Sequence, residues 1–225
     1  MRVSIIIPAL NEEPNIRQAA ERAWQTGAAE VIVVDGGSHD ATAEAAREAG
    51  CRVLAGRRGR GAQQNLGARA AAGDVLLFLH ADCWLAHDGL AQIARALDDR
   101  RQAAGAFEQR IEADGLLFRL LERGNAWRVR RRGLVYGDQG IFVRRELFDQ
   151  LNGFPEVALM EDLLFMKRLR RVVWPLLLAG PLHVSARRWQ RHGVIRQTVR
   201  NSLLLAAARL GVPPDRLARY YTPHR

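Results

Sequence analysis

Polar groups able to do chemistry stand at the ends of apolar runs in this chain. SIIIPALNEE ends in Asn11 and Glu12, VIVVD in Asp35, and DVLLFLHADCW in His80 and Asp82. A buried strand that stops at an acidic residue often stops at a site, because ligands of open parallel sheets bind at the carboxyl ends of the strands. The loop GRRGRG adds Arg57, Arg58 and Arg60, which suit an anion or simply a solvated turn. Further on, Met160-Glu161-Asp162 sets two adjacent carboxylates at a helix start. Acidic residues are favoured there by the helix dipole, by about 0.3 to 1 kcal/mol. A carboxylate raised toward neutrality by burial or a neighbouring charge also serves as a general base.

These groups need a frame that brings them together. Residues 2–10, 31–35, 51–54 and 74–79 read as strands, rich in β-branched or leucine residues. Between them, residues 13–26, 41–49 and 62–72 read as helices, with Ser38 or Asp40 as a cap for the second. Alternating strands and helices predict a parallel sheet with crossover helices, an α/β class. In the second half, residues 116–129 and 194–210 predict amphipathic helices, and residues 160–172 a further helix. The basic run RVRRR (128–132) follows the first of these; GLVYGDQGIFVRRELF predicts a strand pair and a turn, and VVWPLLLAGPLHV a strand or two. With no repeat, low-complexity tract or linker, residues 1–225 read as one domain.

The bulk numbers are those of a globular protein, with 48% hydrophobic and 26% charged residues, but the formal charge is +10. Lys167 is the only lysine, so arginine supplies the basicity. That charge fits genomic composition, an anionic ligand or an acidic membrane surface. Cys51 and Cys83 show neither metal-type nor disulfide-framework spacing, and the apolar start is too short for a secretion signal; both point to the cytoplasm. No run approaches the roughly 20 apolar residues of a membrane span, leaving at most a peripheral contact at the inner membrane face.

Five stretches in order, SIIIPALNEE, VIVVDGGSHDAT, RGAQQNLGARAAAGDVLLFLHAD, GDQGIFVRRELFDQLNGFPE and MED, resemble the family-2 glycosyltransferases of GT-A fold over residues 3–189. Within that family the closing SARRWQRHG resembles the small transferases associated with radical-SAM and selenium-related genes, some of arsenosugar biosynthesis type. The resemblance implies a hexosyltransferase-type enzyme that moves a sugar from a UDP- or GDP-type nucleotide-diphosphate sugar to an acceptor hydroxyl, inverting and dependent on a divalent metal, Mg²⁺ or Mn²⁺. It places the donor in residues 1–110 and the acceptor in residues 111–225. Pro8, Ala9, Glu12 and Asp35 then line the nucleotide pocket, with Arg60, His80, Ala81, Asp82 and Arg188 completing donor binding. Family members carry Asp-Asp where this chain reads Asp35-Gly36, and Asp-x-Asp where it reads His80-Ala81-Asp82. Asp82 is therefore the candidate metal ligand, since one or two carboxylates plus substrate phosphates satisfy Mg²⁺. Imidazole suits softer metals, which favours a ribose or phosphate contact for His80 over ligation, while His183 is a further candidate ligand. Asp162 is implied as catalytic base, with Glu161 positioning the acceptor or tuning its neighbour; Asp138, Gln139 and Trp189 face the acceptor. Arg187, Arg188 and Trp189 loosely resemble the Gln-x-x-Arg-Trp element of processive relatives, with Trp189 as plain core the competing reading. The acceptor is a small molecule or a lipid phosphate.

Two other readings compete with this one. A sugar-phosphate nucleotidyltransferase needs a glycine-rich basic loop after the first strand, where this chain has PALNEE. A basic nucleotide- or anionic-membrane-binding protein without transferase activity fits the charge. Nucleic acid is disfavoured as a partner: no helix-turn-helix, zinc or RNA-binding signature accompanies the arginines.

Overall fold

Seven consecutive buried residues form β1 (Val3–Ala9), as a strand covered on both faces requires. It is followed by α1 (Glu13–Gln25), β2 (Glu30–Asp35), α2 (Thr42–Glu48), β3 (Arg52–Ala55), α3 (Arg60–Ala70) and β4 (Val75–Phe78). Then come β5 (Cys83–Leu85), α4 (Gly89–Ala96), β6 (Ala104–Glu112), α5 (Leu116–Arg132) and a 3-10 turn at Gly137–Gln139. The chain continues through β7 (Ile141–Arg144), α6 (Arg145–Gln150), α7 (Glu161–Leu169), β8 (Leu176–Ser185), α8 (Arg187–His192), α9 (Val194–Arg209) and α10 (Pro214–Ala218). The computed structural model describes residues 1–220, apart from the side chains of Arg188, His192 and Arg209.

The strands make one eight-stranded sheet in the order β3-β2-β1-β4-β7-β6-β8-β5. β3, β2, β1 and β4 are parallel. β7 then pairs antiparallel with both β4 and β6, β8 runs parallel to β6, and β5 closes the edge antiparallel to β8. Alternation along the strands feeds two cores. Ile5, Ile7, Val31, Val33 and Leu77 face Ile16, Ala20, Ala46 and Ile93 of α1, α2 and α4. Ile6, Ile32, Val34, Leu76 and Phe78 face Ala68, Val129, Phe148 and Phe165 of α3, α5, α6 and α7.

The parallel half forms where the sequence predicts it, within one or two residues; the second half corrects the reading. GLVYGDQGIFVRRELF is one strand between a turn and a helix, not a strand pair, because β7 finds its partners in β4 and β6. Arg145 opens α6 and donates to the carbonyls of Ala68, Ala71 and Gly73 at 2.8 to 2.9 Å, capping the end of α3. The basic run 128–132 belongs to the last turns of α5, and Arg128 points inward over the Tyr136 ring at 3.6 Å. Residues 83–112, for which the sequence predicts no element, supply β5, α4 and β6. SARRWQRHG contains the short helix α8. No helix among the described residues is long and apolar enough to cross a membrane.

Candidate active site

The ends of β1, β2 and β4 share one rim, and loops cross-link them. Asp35, the last residue of β2, accepts the Ser38 N–H at 3.2 Å on each carboxylate oxygen and also its hydroxyl. Ser38 Oγ in turn accepts the Asn11 N–H at 2.8 Å, and Thr42 Oγ1 accepts the Glu12 N–H at 2.8 Å. The side chains of Pro8 and Ala9 are buried, so β1 offers the rim its backbone. Behind it the wholly buried Gln63 donates its amide to the carbonyls of Ala9 and Val34, each at 2.8 Å. A Cβ on Gly36 would stand 2.9 Å from that amide nitrogen. A side chain at the second position of Asp35-Gly36 would thus press on the end of Gln63 and displace the clamp joining β1 to β2.

The next group of charges gathers after the ends of β1 and β4, where the start of α8 reaches them. Arg187, at the start of α8, donates to Glu12 Oε2 at 2.9 Å and lies 3.5 Å from Asp82 Oδ2. Glu12 and Asp82 keep only 12% and 11% of their side-chain surface, so a single guanidinium ties two largely desolvated carboxylates. His80, Asp82 and Cys83 bring a ring nitrogen, a carboxylate oxygen and a thiol within 4.8 Å of one another. The Cys83 thiol lies 3.6 Å from Asp82 Oδ1. A divalent cation fits this donor set with Asp82 as its hard oxygen ligand and substrate phosphates as the others. His183 is elsewhere: it is hydrogen-bonded to Glu112 at 2.7 Å and stacked on Trp84 at 5.4 Å.

Across the cleft, Asp162 Oδ2 accepts the Gly137 N–H at 2.6 Å and Oδ1 the Leu163 N–H at 2.7 Å. Gly137 is wedged between two functional groups, since a Cβ on it would meet His80 Nε2 at 2.8 Å and Asp162 Oδ2 at 3.4 Å. His80 thus lies near both Asp82 and Asp162. A cavity of about 130 Å³ opens beside His80 and Asp162, lined by Arg60, His80, Asp138, Asp162 and, from α9, Leu204 and Leu205.

Of the two parts expected of Glu161, contact with the acceptor does not fit its burial: it is 2% exposed, and Arg60 holds it through Nε at 2.7 Å and NH2 at 3.3 Å, next to Asp162. Burial pushes its carboxyl up, Asp162 adds to the effect, and the Arg60 guanidinium opposes it. Arg60 is accordingly a partner of Glu161 as well as a wall of the cavity. Gln139 is also corrected: it is wholly buried, and its Oε1 accepts Arg128 NH2 at 2.5 Å and the Tyr136 N–H at 3.2 Å, fixing the turn rather than facing the cleft. Asp138 lines the cavity, and its carbonyl accepts Gln109 Nε2 at 2.9 Å. Trp189 packs edge-on against Phe118 at 6.3 Å, within an apolar cluster. Ala81 is buried, Arg57 pairs with Glu156, and the side chain of Arg188 lies outside the described residues.

Three contributors escaped the sequence reading. Arg187 was one of two adjacent arginines, and only the phase of α8 selects it. Gln63 carried a faint signal, a glutamine pair inside an alanine-rich helix. Arg128 hid in a basic run; burial lowers its pKa, against the pull of Tyr136, Asp138 and Asp162.

The glycosyl transferase family 2 model matches residues 4–151. No curated protein matches the chain. Among solved structures, residues 1–349 of S. aureus TarS superpose with a TM-score of 0.66 at 20% identity, covering 83% of this chain and 61% of that one. The same segment in complex with UDP-GlcNAc gives 0.65 at 20% identity, over 82% and 58% of the two chains. Glucosyl-3-phosphoglycerate synthase from Mycobacterium tuberculosis, in complex with Mn²⁺, UDP and glucosyl-3-phosphoglycerate, gives 0.56 at 20% identity over 82% and 70%. The chain thus spans about three fifths of the TarS segment. These likenesses establish the GT-A fold.

Proposed function

The chain belongs to glycosyl transferase family 2, and from that premise we propose that it transfers a hexosyl group from a nucleotide-diphosphate sugar, of UDP or GDP type, to an acceptor hydroxyl with inversion. The observation that carries the reading is His80 close to two separate carboxylates, Asp82 tied with Glu12 to Arg187 and Asp162 beside a cavity. An inverting transfer needs that separation, because leaving group and acceptor occupy opposite sides of the anomeric carbon.

Asp35, held rigid by Ser38, accepts hydrogen bonds from the base or ribose. Arg187 swings its guanidinium from Glu12 and Asp82 toward the diphosphate, where it balances the charge that builds as the leaving group departs. When bound by Asp82 and the phosphates, Mg²⁺ or Mn²⁺ supplies further neutralisation of that charge. His80 contacts the ribose or a phosphate. On the other side Asp162 takes the acceptor proton: the acceptor oxygen bonds to the anomeric carbon, the bond from that carbon to the diphosphate oxygen breaks with its electron pair, and the nucleoside diphosphate leaves. The N–H groups of Gly137 and Leu163 aim the Asp162 carboxylate without consuming all its lone pairs. Glu161 and Arg60 act as positioning residues that fix the start of α7.

Calorimetric titration with UDP and GDP, with and without Mn²⁺, tests this. One of them binds, more tightly with Mn²⁺, and Asp82→Ala removes the Mn²⁺ enhancement. A native chain indifferent to both nucleotides in either condition sinks the proposal.

A further inference from the structure

Helix α9 carries apolar side chains on two faces. Inward, Leu204 and Leu205 line the cavity beside Asp162. Outward, Ile195, Val199, Leu203 and Leu210 continue one stripe along the helix, and Ile195 and Leu203 remain 67% and 65% exposed. A helix with a second, outward apolar stripe ordinarily has that stripe covered as well. α5 repeats the arrangement: Phe118, Ala126 and Val129 are buried, while Leu116, Leu117, Leu120 and Trp127 face solvent. The two helices meet at a small cluster of Ile111, Phe118 and Ala186, against which Leu121 of α5 and Val194 of α9 both pack.

The flanks of these stripes are basic. Arg123, Arg130, Arg131 and Arg132 are exposed on α5, and Arg191 and Arg196 beside and on α9. Leucine and tryptophan between arginines is the surface of a helix that lies in the headgroup region of a bilayer, with guanidinium groups on lipid phosphates and apolar tips at the acyl boundary. A second copy fits poorly, since it would set arginines against arginines on a chain of charge +10. Leu159, Leu163, Leu204 and Leu205 give the cavity an apolar wall opposite Asp162 and His80, suited to an alkyl or prenyl chain carrying a polar head.

We propose that the exposed faces of α5 and α9 dock on a bilayer bearing acidic headgroups, and that the acceptor is lipid-linked, entering the cavity beneath α9. The second half rests on the transferase reading; the first does not.

The full chain, without nucleotide, is floated with vesicles of phosphatidylcholine alone or mixed with phosphatidylglycerol. Binding to the mixed vesicles, with a blue shift of tryptophan emission that Trp127→Phe removes, is the expected result. Val199→Glu with Leu203→Glu, both at exposed positions, weakens partitioning by about tenfold or more while UDP titration is unchanged. Failure to bind mixed vesicles overturns the docking surface. So does binding abolished at high salt with no emission change, or a dimer in sedimentation equilibrium that the same two substitutions dissociate. Farnesyl phosphate titrated into the UDP-saturated chain tests the acceptor: heat of binding supports it, and none overturns that half. Titration of UDP alone reports on the transferase reading separately.

Discussion

The two walls of the cleft are held by different means. On the wall made by β1 and β2, Asp35 is fixed by Ser38, separated by 3 residues, and Thr42 by Asp40, separated by 2. These bonds close inside one strand-loop-helix unit. On the opposite wall, Asp162 is fixed by Gly137 across 25 residues and Glu161 by Arg60 across 101. The bonds that hold Asp35 itself form within a local unit, although the ties from β1 and the loop after it span 27 to 54 residues; the bonds that hold Asp162 and Glu161 require the assembled sheet, after the entropy of large loops has been overcome. Nucleotide binding and transfer should therefore separate cleanly under mutation.

The sharpest break is Asp162→Asn. It should lower sugar transfer by about 10² to 10⁴ and leave calorimetric UDP binding intact; transfer at the native rate would move the base elsewhere.

Next is the buried pair. Arg60→Met leaves the Glu161 carboxyl, 2% exposed, without its guanidinium, and should cost on the order of 3 kcal/mol in urea denaturation. Glu161→Gln, which keeps the neutral form that burial already favours, should offset much of that cost when combined with it. The same pair sets a pH dependence. With the Glu161 carboxyl raised above its ordinary value near 4.5, the folded chain keeps that proton to higher pH than the unfolded chain. Its contribution to stability is complete below the unfolded pKa and fades as pH rises through the folded one. The difference in stability between native and Glu161→Gln protein should accordingly change with pH in that direction; a flat difference would deny the raised carboxyl.

On the local wall, Gly36→Asp restores the second aspartate of the family pattern and should cost about 1 to 3 kcal/mol by overpacking against Gln63. In a Gln63→Ala background that penalty should shrink, as a denaturation cycle would reveal. The smallest effect is expected from Arg187→Ala. Removing the guanidinium that ties Glu12 to Asp82 should tighten Mn²⁺ binding in the absence of nucleotide by roughly two- to fivefold, read by calorimetry. Weaker Mn²⁺ binding would mean that Arg187 orders the carboxylates rather than competing for them.

The acidic strand ends were legible without coordinates because the signal is local. SIII ending at Pro8, VIVV ending at Asp35 and VLLF ending before His80 each announce a buried strand and its rim. The family-type order of motifs then supplied candidate roles. What could not be read was which way a polar side chain faces. Gln139 and Glu161 sit in motifs that suggested contact with an acceptor, yet both are buried and committed to arginines, Gln139 to Arg128, 11 residues before it, and Glu161 to Arg60, 101 residues before it. β6 went unseen because AGAFEQRIE has no clean two-residue alternation.

From the sequence alone came the four parallel strands, the residue types at their ends and the basic character of the chain, since periodicity and composition act over a few residues. Tertiary structure alone chose Arg187 from an arginine pair, set the Gln63 amide against Gly36 and turned Glu161 inward toward Arg60. The reason is physical: hydrophobic burial chooses elements locally, whereas ion pairs and close contacts between distant segments depend on how whole elements pack.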